Sequence, residues 1–247
     1  MYGVDQSRYT HHGSCENCGS KDNVAWYESG SGYCFGCGWY YRGTSASISK
    51  ANVVTNGSKG GVVRSPPDDC DSSYPDKVIE WVGKYGVTVA DLIKHKVTWS
   101  NQREQLIFRF FGEGQDLVLW QARNFRDGTS HKDRFYTGGA PNEVIAAYYP
   151  EQISDTAVIV EDCISAMRVS QAGAVGIPCF SSTLSDKKLT LIAGLYDRIF
   201  FWLDYDKFKE STKLTRKAGL LGCQTRSLCT VHDPKCYSEK IMMEMFV

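Results

Sequence analysis

The chain has 247 residues, 28 Lys and Arg against 28 Asp and Glu, a formal net charge of zero and ten cysteines. That length holds one substantial domain, or a small domain plus a larger one. No apolar run is long enough to span a bilayer, and the polar, aromatic start Met1 to Thr10 lacks the apolar centre of a secretory signal, so membrane and secreted readings are set aside and a cytoplasmic chain with reduced thiols is expected.

Neutrality decides nothing about a nucleic-acid partner, because a carboxylate cluster can offset a basic groove. Local pattern decides it. The first pattern along the chain is Cys15-x-x-Cys18, fifteen residues, then Cys34-x-x-Cys37. Each pair grips two corners of a tetrahedral Zn²⁺, and Gly19 and Gly38 permit the tight knuckle after each. A closed set of four thiolates leaves no position for water, so the zinc is structural. The other six cysteines have no ligand-like spacing. Trp26, Tyr27, Tyr33, Phe35, Trp39, Tyr40, Tyr41 and Arg42 surround the hooks. Aromatic faces of this kind stack on unpaired bases at about 1–3 kcal/mol each, although some must fill the ribbon's own core. His11 and His12 read as solvated tail residues. Residues 1–43 are thus expected to form a zinc ribbon.

Residues 44–74 are rich in Ser, Gly, Asn and Pro and read as a flexible linker. Helical apolar spacing follows over Asp76 to Tyr85 and Val89 to His95. Gln105 to Phe111 and Asp116 to Asn124 read as strands around Gly112-Glu113-Gly114. From Ala157 strands and helices alternate: strand Val158 to Val160, helix Ile164 to Gln171 ended by Gly173, strand Ala174 to Pro178, helix Ser185 to Ala193, strand Ile199 to Leu203, helix Lys207 to Leu221, strand Thr225 to Cys229. Alternation implies a parallel sheet covered on both faces. The expected organisation is multidomain, α/β and α+β: ribbon 1–43, linker 44–74, a mixed basic subdomain 75–152 and a parallel-sheet subdomain 153–247.

The second chemical pattern is acidic. Val158-Ile159-Val160-Glu161-Asp162 and Phe200-Phe201-Trp202-Leu203-Asp204-Tyr205-Asp206 each place acids at the carboxyl end of a buried strand. In open α/β sheets ligands sit beyond those ends. In extended backbone Asp204 and Asp206 leave on the same face. Carboxylates gathered there hold a divalent cation such as Mg²⁺, whose shell takes substrate phosphates and water. Such a set is the equipment for nucleotidyl transfer. A duller role, capping the following helix, is open for Asp162.

The segments VIVEDCISA and FFWLDYDK resemble the Toprim domain shared by bacterial primases, topoisomerases and some nucleases. LIFRFFGEGQDLVLWQARNF followed by SHKDRFYTGGAP resembles the basic subdomain that precedes Toprim in primases, and VHDPKCYSEKIM their closing acidic motif. With the ribbon, order and spacing resemble the primase half of phage primase–helicase proteins over nearly the whole chain. That resemblance implies a DNA primase making short RNA primers on single-stranded DNA from ribonucleoside triphosphates. It implies Glu161, Asp204 and Asp206 on catalytic Mg²⁺ or Mn²⁺, with Asp233 added, and Arg109, Arg123, Lys132 and Arg134 on template and nucleotide phosphates. No P-loop is present, so a replicative helicase is expected as a separate protein. Three departures stand out: Ser165 where a second acid is usual, Lys235 where the closing motif has its second acid, and Lys207-Phe208-Lys209-Glu210 in place of small residues. They keep open a Toprim nuclease, or a catalytically weakened zinc/Toprim DNA-binding protein.

Overall fold

The computed structural model describes residues 9–28, 30, 32–37, 39–41, 53–54, 63–112, 115–128, 135–139, 141, 144–180 and 184–246. At the N-terminus β1 (Tyr9–Gly13), β2 (Val24–Tyr27), β3 (Gly32–Cys34) and β4 (Tyr40–Tyr41) form an antiparallel sheet in that order. Among the described residues its buried cluster is Cys15, Val24 and Cys34, with Trp26 packed against it. Gly13 and Gly32 make room for that indole: a Cβ on either would lie 2.5 or 2.8 Å from a ring atom of Trp26.

The larger unit begins with β5 (Val53–Val54) and β6 (Cys70–Asp71), then α1 (Asp76–Gly83), α2 (Val89–Lys94), β7 (Thr98–Ser100), β8 (Gln105–Phe111), β9 (Leu117–Asn124) and β10 (Phe135–Gly138). Strands β10-β9-β8-β7-β6 form one antiparallel sheet. The helix expected through Tyr85 stops at Gly83, and the chain turns at Gly86 with φ +71°. Helix α2 starts on a capping box, in which Thr88 and Asp91 satisfy each other's backbone N–H.

Two stretches of the segment read as a linker are paired to this unit. Val53–Val54 pairs with β11 (Val144–Ile145). Residues 63–71 lie along the antiparallel sheet. Val63 and Cys70 pack on Ile107, Trp120 and Ala122. The Trp120 indole N–H donates to the Arg64 carbonyl at 2.6 Å, and Asp69 accepts from Ser100 Oγ at 2.7 Å and Gln102 N at 2.8 Å. The second face of the sheet is apolar and its buried indole N–H needs an acceptor, so the chain folds back to supply both.

The remaining elements are β12 (Thr156–Val160), α3 (Cys163–Gln171), β13 (Val175–Pro178), α4 (Asp186–Leu195), β14 (Arg198–Phe201), α5 (Phe208–Leu220), β15 (Gln224–Ser227) and α6 (Glu239–Met245). The four strands are parallel in the order β13-β12-β14-β15. Every residue of β12 is buried, as a central strand with both faces covered requires. Val158, Val160, Phe200 and Trp202 pack on one side with α3 and α6, in one core with the antiparallel sheet. Ala157, Ile159, Ile199 and Phe201 pack on the other with α4 and α5. Gly173 caps α3 at φ +89°, the left-handed position that glycine fills without strain. Helix α3 lies so close to β13 that a Cβ on Gly176 would fall 2.0 Å from the Ala166 carbonyl oxygen.

Candidate active site and zinc centre

The four cysteines of the two hooks converge. Their Sγ atoms all lie within 4.8 Å of one another, and among the described residues no other group of His, Cys, Asp or Glu does so. Cys15 and Cys37 sulfurs are 3.7 Å apart, Cys18 and Cys34 sulfurs 3.8 Å. A zinc–sulfur bond of about 2.3 Å gives a tetrahedron edge of about 3.8 Å. The cage therefore fits Zn²⁺ by size as well as by chemistry. Asn17 Nδ2 donates to Cys37 Sγ at 3.5 Å and lowers that thiol's pKa, favouring the thiolate that binds metal. Gly19 takes φ +71° at the first knuckle; Gly38 lies outside the described residues. His11 and His12 sit on exposed β1, not in the cage. Of the ribbon aromatics, Tyr27 is buried while Phe35 and Trp39 are 60% and 40% exposed. The side chains of Tyr40 and Tyr41, and all of Arg42, lie outside the described residues.

The acids meet at the carboxyl ends of the parallel strands. Strand order reverses between β12 and β14, and such a switch point opens a crevice. Glu161 follows β12 and Asp204 follows β14. The Asp204 backbone N–H donates to Glu161 Oε1 at 3.2 Å, tying the two strand ends together. Burial raises the Glu161 carboxyl to about 7, and the Asp204 and Asp206 carboxylates push the same way. Asp204 is also raised, by burial and then by Asp233, with Lys235 opposing. Burial is the larger cause in both, and the neighbouring carboxylates add to it in the same direction. Asp233 precedes the short helical turn Pro234–Cys236 beyond β15, so the third parallel strand also delivers an acid to this end of the sheet.

Two expectations change here. Asp206 does not share a face with Asp204 through extended backbone. The strand ends at Phe201, and Tyr205–Lys207 is a 3₁₀ turn with Asp204 as its N-cap. At three residues per turn, positions two apart diverge. Asp206 is 69% exposed and pairs with Lys207 at 2.7 Å. Among the described residues no three of these carboxylates lie as close together as the four sulfurs do. Asp162, by contrast, caps α3. It accepts from Ile164 N at 2.9 Å, Ser165 N at 3.0 Å and Ser165 Oγ at 2.9 Å.

The basic residues separate. In the register of β8 and β9, Arg109 stands opposite Trp120 and Arg123 opposite Leu106. Trp120 belongs to the face covered by residues 63–70, and Leu106 to the main core. Arg109 and Arg123 therefore leave opposite faces of the sheet and do not line one groove together. Arg123 lies over the Trp81 ring, 4.1 Å from its centroid. Gln121, on the Arg123 face, accepts from the Cys163 thiol at 3.5 Å and so reaches the start of α3. Lys132 and Arg134 lie outside the described residues. A cleft of about 320 Å³ lined by Arg103, Gln105, Asn124 and Arg126 offers two guanidinium groups that motif reading passed over. They flank strand ends in turns, where no periodicity marks them.

No known family profile matches the chain, and no curated protein does. Solved structures do match. The chain is similar to the zinc-binding and RNA polymerase domains of Aquifex aeolicus primase at 13% identity and a TM-score of 0.53, covering 69% of this chain and 54% of that one. It therefore spans about half the length of that relative. It is similar to the RNA polymerase domain of the Mycobacterium tuberculosis primase DnaG, a structure in complex with double-stranded DNA, at 12% identity and a TM-score of 0.54, covering 71% and 74%. It is similar over 97% of both chains, at 13% identity and a TM-score of 0.50, to a structure of bacteriophage T7 lagging-strand DNA polymerase interacting with primase domains of two gp4 subunits bound to an RNA/DNA hybrid and dTTP. What is shared at these identities is the fold: a cysteine-cage unit followed by a mixed core with a parallel sheet. Among the described residues no helix is long and apolar enough to cross a membrane.

Proposed function

We propose that this chain is a DNA primase, a nucleotidyltransferase that makes short RNA primers on single-stranded DNA. The observation that carries the reading is the hydrogen-bonded pair Glu161–Asp204 at the switch point of a parallel sheet, in a chain that has the primase fold and a cysteine cage before it. Glu161 and Asp204 are the proposed cation ligands, with Asp206 and Asp233 beside them. A bound Mg²⁺ or Mn²⁺ would supply Lewis acidity toward the phosphates and the attacking hydroxyl. The chain's own residues do the rest. Glu161 is held half-buried by the Asp204 N–H, so its orientation is set before substrate arrives. Arg123, on the sheet face that reaches α3, is the proposed template or nucleotide phosphate contact, and Lys132 and Arg134 are proposed with it. The exposed ribbon rings Phe35 and Trp39 are proposed to stack on unpaired template bases. The partners that follow are single-stranded DNA, ribonucleoside triphosphates and a separate helicase, in the cytoplasm.

The test is primer synthesis on mixed-sequence single-stranded DNA with labelled ribonucleotides and Mg²⁺ or Mn²⁺, beside Asp204→Ala. Short oligoribonucleotides, absent with the variant, are the expected result. Intact bound DNA without product under any metal would sink synthesis and leave a binding protein. Degraded DNA would make the chain a Toprim nuclease.

A further inference from the structure

The acids of the crevice fall into two groups. Glu161 and Asp204 are joined by a backbone hydrogen bond. Asp162 and Asp233 are joined by a cation: Lys235 Nζ lies 2.9 Å from Asp162 Oδ2 and 2.6 Å from Asp233 Oδ2. That ammonium is not a surface charge resting on whatever is near. Its side chain is only 14% exposed, and the Tyr85 ring lies 5.6 Å from Nζ. The two carboxylates reach it from different elements. Asp162 is fixed independently of it, by the α3 N-terminus and the Ser165 hydroxyl, while Asp233 stands at the head of the turn Pro234–Cys236 that carries Lys235 itself. Two carboxylates delivered by different elements to one point, with a positive charge between them, is the arrangement a divalent cation would otherwise span.

We propose that the Lys235 ammonium is a built-in cation of the acidic crevice, standing where a second divalent ion would bind, so that the crevice takes one divalent ion on Glu161 and Asp204 rather than two. The inference rests on the primase reading above and assigns Lys235 a charge-compensating, positioning role in the same site. Ser165 fits the same account. Its hydroxyl donates to the Asp162 carboxylate, so this position supplies a proton where an acid would have added charge.

The test counts Mn²⁺ bound to the full chain with its zinc retained, by the loss of the free-ion paramagnetic resonance signal. Sites are taken as the difference from a Glu161→Gln/Asp204→Asn chain. One ion is expected for the wild type. Lys235→Asp is expected to bind two, and Lys235→Met two with the second weaker. Lys235→Met is also expected to melt lower than wild type without Mn²⁺ and to recover more on adding it, since it leaves two carboxylates uncompensated; it gives the answer if Lys235→Asp fails to fold. In primer synthesis the Mn²⁺ dependence should steepen from first to second order. Two ions in the wild type, or one in wild type and both variants alike, overturns the inference and leaves the primase reading standing. No ion in any chain removes Glu161 and Asp204 as a cation site and takes both down.

Discussion

The ribbon and the parallel-sheet unit are held together by different physics. Among its described residues the ribbon buries three as its cluster, two of them cysteines of the cage. The parallel sheet is buried on both faces, and its strand β12 is inaccessible along its whole length. A segment as small as the ribbon cannot recover its chain entropy from apolar burial, so metal bonds must do it. The sheet unit recovers it by packing, and that frees its polar groups for chemistry. The lesson is that the four thiols of the ribbon are placed to hold the ribbon together through an ion, while the acids at the strand ends sit on a unit that apolar packing already holds.

Zinc removal tests the contrast most severely. Chelation, or Cys34→Ser, should unfold the ribbon outright, on the scale of about 10–16 kcal/mol known for small zinc domains. Limited proteolysis should then cut within residues 1–43 while the main thermal transition stays in place. A main transition that moved with chelator would break the comparison.

Gly176→Ala should do the reverse. With the Ala166 carbonyl oxygen 2.0 Å from the new Cβ, α3 must lift from β13, at about 3 kcal/mol. Urea unfolding should show the loss with bound zinc unchanged.

A smaller, pH-dependent effect should come from Glu161→Gln. The Glu161 carboxyl titrates at about 7 in the folded chain against 4.5 ordinarily, chiefly through burial. Between those values the native state holds a proton that the unfolded chain releases. The stability linked to it is therefore full below about pH 4.5 and lost as pH rises through about 7. The variant's melting temperature should exceed wild type by a margin that grows from about pH 5 to about pH 8. A constant margin would show that the group is not crowded. For the same reason Mn²⁺ should bind wild type more weakly below about pH 7, where it competes with the proton.

The smallest effect expected is from Arg123→Ala, which removes the guanidinium from the Trp81 face at about 0.5–1 kcal/mol. If primer synthesis falls far more than stability does, Arg123 touches substrate. Equal small losses would confine it to packing.

The sequence by itself determined what is written in short spans. The cysteine spacing specifies a tetrahedral cage because four sulfurs on two hooks can close on a single ion, and they do converge. Alternating strands and helices after Ala157 specified a parallel sheet, with Glu161 and Asp204 at its strand ends. Asp162 was readable as a cap from its place before a helix. Only the tertiary structure decided the rest, because it depends on which distant segments meet. Lys235 reaches Asp162 across 73 residues, and no local pattern places an ammonium between two acids. Arg109 and Arg123 look alike in sequence, yet the pairing of β8 with β9 sends them to opposite faces. Residues 63–71 have the composition of a linker, but a buried indole N–H and an uncovered sheet face drew them in. Asp204 and Asp206 parted because the chain tightened into a 3₁₀ turn where alternation assumed a strand.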